Sequence, residues 1–141
     1  SMKNSNECGY TLIMSTEIIG LSHLEREIIA NVVRYNIRDF DYDMMQLETE
    51  AGQDLAGVSD RTAITILIAK LTAILRLANS MDKTHKSKLI DCRMAVREGQ
   101  LVITTGYKGD LALESASFEQ KAAFFEEIFG IRPVLKQKRR V

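Results

Sequence analysis

Apolar positions in the first 82 residues recur at helical spacing, and after Lys88 they switch to strict alternation. Leu24, Ile28, Ile29, Val32, Val33 and Tyr35 fall broadly on one stripe near a period of 3.6. Ser22-His23-Leu24-Glu25 opens this stripe with the spacing of a capping box, in which the serine oxygen and the glutamate each satisfy a free backbone N–H. The pattern predicts a helix that fades near Asn36. It follows a short apolar segment of Tyr10, Leu12, Ile13 and Met14 that stops near Gly20. Residues 37–58 are polar and acidic with Gly52 and Gly57, and they read as a long connection with room for a short helix. Ser59-Asp60 then signals the N-terminus of the strongest helix. Between Ala63 and Ala78, 12 of 16 residues are apolar, interrupted by Thr65, Lys70, Thr72 and Arg76. A helix apolar nearly all round is expected to be central, with the helical half wrapped about it and its end near Met81.

Beyond Lys88, Ile90, Cys92, Met94 and Val96 alternate with Asp91, Arg93, Ala95 and Arg97, the signature of a strand with one buried face. Glu98-Gly99 predicts a turn into a second strand, Leu101–Thr104. Lys108-Gly109-Asp110 predicts another turn, into a third strand at Leu111-Ala112-Leu113. Ser117 and Gln120 are placed to cap a helix whose Phe118, Ala122, Phe125 and Phe129 share one side, with Gly130 as its stop. Ile131–Leu135 completes the module as a strand in which Pro133 is tolerated at an edge. The expected fold class is α+β: a helical portion over residues 1–87, then a small β-β-β-α-β module over 88–141.

Apolar content of 45% and charged content of 27% are ordinary for a soluble globular protein. Cys8 and Cys92 are too few and too isolated for a disulfide framework or a zinc knuckle, and read as reduced cytosolic thiols. The Ala63–Ala78 run is shorter than the ~20 residues a bilayer demands and carries Lys70 and Arg76, so no membrane partner is expected. The Ser1-Met2 start reads as an addition to a piece of a longer chain. The zero net charge conceals an asymmetry: residues 1–82 hold 7 Lys and Arg against 12 Asp and Glu, and residues 83–141 hold 12 against 7. A basic second half fits an anionic partner, or equally a basic half docked on an acidic one.

The familiar catalytic signatures are missing: no Gly-rich phosphate loop, HExxH, CxxC or GxSxG. Asp39, Asp41, Asp43 and Glu50 have some of the spacing of a calcium loop, but Met44 stands where that loop needs glycine, so a solvated acidic loop is the expectation. His23 falls in the first turn of a capped helix, where simple exposure is expected. His85 lies among lysines. The tail Lys136-Gln137-Lys138-Arg139-Arg140 could grip phosphate or serve as a solubilising end. With no aromatics interleaved among these charges, nucleic acid is not an expected partner.

Several words of the sequence occur together in one family's order. They are Glu17-Ile18-Ile19-Gly20-Leu21-Ser22, Glu25-Arg26-Glu27-Ile28-Ile29-Ala30, Val33-Arg34-Tyr35, Leu75-Arg76-Leu77-Ala78, Met81-Asp82-Lys83-Thr84-His85, and Lys121-Ala122-Ala123-Phe124-Phe125-Glu126-Glu127 followed by Pro133. By these words the chain resembles the C-terminal region of the exopolyphosphatase and guanosine pentaphosphate phosphohydrolase family. The resemblance implies a cytoplasmic hydrolase of phosphoanhydrides whose active site lies in upstream actin-like domains and uses a divalent metal such as magnesium. This chain would then be the later part of an HD-like helical domain plus a small α+β domain, with no catalytic residues of its own and a homodimeric parent.

Departures from the family's pattern bear on the metal. Cys8, Asn36 and Asn79 stand at three positions where the family or HD-type sequences carry His, His and Asp, and Asn is a poor ligand for a divalent ion. No metal site and no cofactor are therefore expected in this chain. What remains is the abrupt junction Ile74–Lys88, where an apolar helix runs into Lys83, His85, Lys86 and Lys88, close in sequence to Arg93 and Arg97. Cations are favoured at a helix C-terminus in any case, and the same six residues are the candidates for contacting polyphosphate or another phosphate-rich anion. Two rival readings are a purely structural dimerisation module and a degenerate HD-type nucleotide phosphohydrolase.

Overall fold

The computed structural model describes residues 2–17, 19–36, 40 and 58–138, with side chains at 7–17, 19–36, 40 and 61–138. The acidic connection, apart from Phe40, and the tail beyond Lys138 lie outside the described residues, as does the Asp39–Glu50 spacing. The fold is α+β. The chain packs as two compact units, Ser1–Thr72 and Ala73–Val141.

In the first unit, α1 (Met2–Ser15) is longer than its apolar segment alone suggests and pairs with α2 (His23–Tyr35). Gly9 explains the approach: a Cβ there would stand 2.8 Å from Val33 Cγ1, inside van der Waals contact. Arg34 lies 3.4 Å over the ring of buried Tyr10 and 3.3 Å from Glu7. The capping box of α2 forms in full, with Glu25 N–H donating to Ser22 Oγ at 3.1 Å and Ser22 N–H donating to Glu25 Oε1 at 3.0 Å. Leu24, Ile28 and Val32 pack with Tyr35, Ile64 and Ile68. The expected single stripe is incomplete. Ile29 is 40% exposed, while Glu27, Ala30 and Asn31 are fully buried, because α1 covers a second side of the helix.

The helix α3 (Val58–Met81) ends where expected but begins at Val58, so Ser59 is inside its first turn and is not its N-cap. Its 24 residues span ~36 Å. Its apolar residues divide: Ile64, Ile68, Ala69, Ala73 and Leu77 are buried, whereas Ile66, Leu67, Leu71 and Ile74 are 38–49% exposed. The stretch Arg61–Met81 is long and apolar enough to cross a bilayer by length and composition, a test that the core helix of a soluble protein also passes.

In the second unit, β1 (Cys92–Arg97) and β2 (Gln100–Thr105) form an antiparallel hairpin, α4 (Ala112–Phe129) follows, and β3 (Arg132–Gln137) pairs parallel to β2. The strand order β1-β2-β3 makes β2 central. Ala73, Leu77, Ile103, Phe118 and Phe125 form the core, so the last turns of α3 pack with the sheet although its helical period belongs to the first half. Glu98 and Gly99 have φ of 51° and 74°, the left-handed pair that a tight hairpin turn needs. Gly130, at φ 76°, donates its N–H to Glu126 O and ends α4 as expected.

The expected third strand does not form. Leu111 is the N-cap residue of α4, and Ala112 and Leu113 lie in its first turn, which makes the module β-β-α-β. Asp110 Oδ1 accepts from Ala112 N–H at 2.9 Å, so the aspartate read as part of a hairpin turn opens a helix. Ser117, expected as the cap, sits buried within the helix. Pro133 is on an edge strand, as expected. Arg132 N–H donates to Gly99 O, just before β2, and Lys138 N–H to Thr105 O at its end, and the period of two turns the intervening Pro133 nitrogen to the open side.

Candidate functional site

The junction after α3 is held by two carboxylates. Asp82 accepts Ser87 N–H on Oδ1 at 3.0 Å and stands 3.9 Å from His85 Nδ1 on Oδ2. These contacts fold a tight loop in which His85 and Ser87 adopt φ of 56° and 51°. Glu114, 1% exposed on the first turn of α4, accepts both Thr84 N–H (3.2 Å) and Thr84 Oγ1–H (2.7 Å) on Oε2. Lys88 Nζ reaches Glu114 Oε1 at 3.3 Å and the carbonyl of Asp110 at 2.9 Å, 6.0 Å from the centre of the Tyr107 ring. The Thr84 hydroxyl above all, with Lys88 assisting, holds the Glu114 carboxyl below its ordinary range despite burial.

The six candidate cations therefore part company. Lys88 is an internal fastener, mostly buried and committed to Glu114. Lys83, His85 and Lys86 are exposed on the loop. Arg93 and Arg97 project from β1, and cross-strand register decides their neighbours. Arg93, Thr104 and Lys136 form one row across the sheet, and Arg97, Gln100 and Arg132 another. Ile103 lies on the opposite face, in the core. Arg93 and Arg97 thus share the open face of the sheet with Lys136. Arg132 is drawn aside to Glu119 at 3.8 Å.

Against this surface lies a concavity of about 740 Å³, lined by Arg93, Ala95, Arg97, Thr104 and Lys138 among others, and by none of Lys83, His85 or Lys86. Among the described residues, the side chains of Arg93, Arg97, Lys136 and Lys138 make no ion pair, and Asp91 is the one carboxylate in the lining beside them. Rows on adjacent strands are ~4.8 Å apart and the two arginines are separated by ~13 Å along β1. Such an array matches a ligand with several anionic groups better than a single phosphate. Sequence reasoning missed Lys136 as a partner of Arg93, because only the parallel β2–β3 register brings them into one row. It also missed Glu114, which is 26 residues from the lysine it holds.

Cys8 and Asn36 are in the first unit, exposed and half-buried respectively, and Asn79 is exposed on the part of α3 that belongs to the second. Among the described residues, no three of His, Cys, Asp and Glu converge as metal donors would. The chain matches no protein-family model and no curated protein.

Proposed function

We propose that this chain is a non-catalytic C-terminal portion of an exopolyphosphatase-like phosphoanhydride hydrolase, and that it retains linear polyphosphate while hydrolysis occurs in upstream domains. The observation that carries this reading is the sheet face with Arg93, Arg97, Lys136 and Lys138, which make no ion pair among the described residues. Chemically, the face offers charge-assisted hydrogen bonds from its arginines and lysines. Many weak contacts then hold a polyanion while each can release, so a long chain slides as it shortens. Lys83 and Lys86 on the neighbouring stretch of chain add a second exposed set, and Lys88 is removed from the original six.

Titration of the chain with fluorescently labelled polyphosphate at low salt tests the reading. Saturable binding is expected, weakened by Arg93→Ala together with Lys136→Ala. An absence of binding at low salt sinks it. A structural, assembly-forming role is the second reading, favoured by the exposed Ile66, Leu67 and Leu71 on α3. A dimer measured by light scattering that is indifferent to polyphosphate supports that alternative.

A further inference from the structure

The two edges of the sheet are managed differently. β3 carries Pro133 with its nitrogen toward the open side, and Lys136 within the strand, two devices that discourage further pairing. β1 has neither proline nor bulge, and its six residues pair with β2 without interruption. Among the described residues, β2 is the one element packed extensively on β1. Met94 and Val96 are consequently 60% and 64% exposed, although they share a face with the core residues Leu101 and Ile103. An expected buried face of this strand is therefore uncovered.

The hairpin turn fixes which backbone groups face outward. Arg97 and Gln100 flank the two-residue turn and form its hydrogen-bonded pair, so Ala95 and Arg93 bond to β2 as well. By alternation, the N–H and C=O groups of Met94 and Val96 point to the open edge. A strand laid along that edge would meet apolar side chains at Met94 and Val96 on one face and cations at Arg93 and Arg97 on the other. One register of self-pairing between copies of β1 is disfavoured. Antiparallel pairing centred on Ala95 would set each Arg93 against an Arg97, and like charges directly opposite are destabilising.

We propose that the open edge of β1 binds an extended peptide in which acidic residues alternate with apolar ones, adding as a further strand of the sheet. The backbone of Met94 and Val96 supplies the ladder, their side chains cover the apolar positions, and Arg93 and Arg97 pair with the acids. This goes beyond polyphosphate retention but shares its two arginines, so the two ligands exclude one another.

The test is fluorescence anisotropy of an end-capped peptide alternating aspartate with valine, titrated with the full chain, beside a counterpart with lysine for aspartate. The acidic peptide is expected to bind and to protect the Met94 and Val96 amides from hydrogen exchange. The lysine peptide is expected not to bind. Val96→Pro removes an outward N–H without touching the β2 ladder and is expected to abolish binding. Arg93→Glu with Arg97→Glu, on an exposed face, is expected to reverse the preference, weakening the acidic peptide by roughly 2- to 30-fold. Equal binding of both peptides, or no binding of either, overturns the proposal. So does protection of the Met94 and Val96 amides in the free chain with dimer formation, since a second copy would then occupy the edge. Peptide binding that polyphosphate fails to displace sustains the edge proposal and counts against the polyphosphate reading alone.

Discussion

Glu114 is where a single side chain decides local structure. It fastens Thr84 and Lys88 to the start of α4 and so fixes the loop that follows α3. Its carboxyl is held below the ordinary value of 4.5, chiefly by the Thr84 hydroxyl. A carboxylate favoured by folding adds stability above its ordinary pKa, and that contribution disappears as pH falls through the lowered value. Glu114→Gln is therefore expected to lower Tm at neutral pH and to flatten the loss of Tm on acidification. Thermal unfolding followed between about pH 3 and 7 checks both; an unchanged acid limb in the variant would show that other carboxylates govern it. The two thiols differ in the same local terms. Burial, with Asp91 nearby, pushes the Cys92 thiol up, and its S–H lies 3.1 Å from Leu89 O, while Cys8 is exposed. Cys8 is expected to react first with a thiol reagent such as iodoacetamide, by peptide mapping of the labelled chain.

At the scale of elements, the start of α4 rests on a residue outside the helix. Asp110→Ala removes the acceptor for Ala112 N–H and is expected to cost about 1 kcal/mol, read as a lowered urea midpoint with an unchanged slope. A change near zero would mean that packing of Phe118 and Phe125 alone sets the helix boundary. This element also shows how far periodicity reaches. The capping box of α2, the strand character of β1 and β2 with the turn between them, the Phe118–Phe129 side of α4 and its Gly130 stop all depend on residues close in sequence, and they were legible, although the buried face expected of β1 is exposed. Leu111-Ala112-Leu113 was not, since three residues suit a strand or a helical turn equally and Asp110 decides between them. Burial of Glu27 and Asn31 was hidden for another reason: α2 is covered on two sides, and a one-sided stripe cannot reveal the second. The candidate cations divide likewise. Arg93 and Arg97 were visible as a strand pattern, whereas the engagement of Lys88 and the joining of Lys136 to Arg93 come from long-range register.

For the molecule as a whole, net charge is zero, so the proposed binding of a polyanion would have to come from local concentrations of cations and not from overall attraction. Among the described residues, the second half exposes two sets of candidate cations, Lys83 and Lys86 on the loop and Arg93, Arg97, Lys136 and Lys138 about the sheet face. Salt dependence separates them. Each phosphate contact that displaces a counterion contributes roughly 0.7–0.9 to the slope of log affinity against log salt, by analogy with nucleic acids. Replacing Arg93 and Lys136 by alanine is expected to reduce that slope by roughly 1–2. Replacing Lys83 and Lys86 should change it less, because neither lines the concavity. Polyphosphate affinity measured across a salt series for the two double variants decides the matter. Equal reductions would spread the ligand over both sets, and a larger effect from the loop pair would move the binding track off the sheet and back to the end of α3.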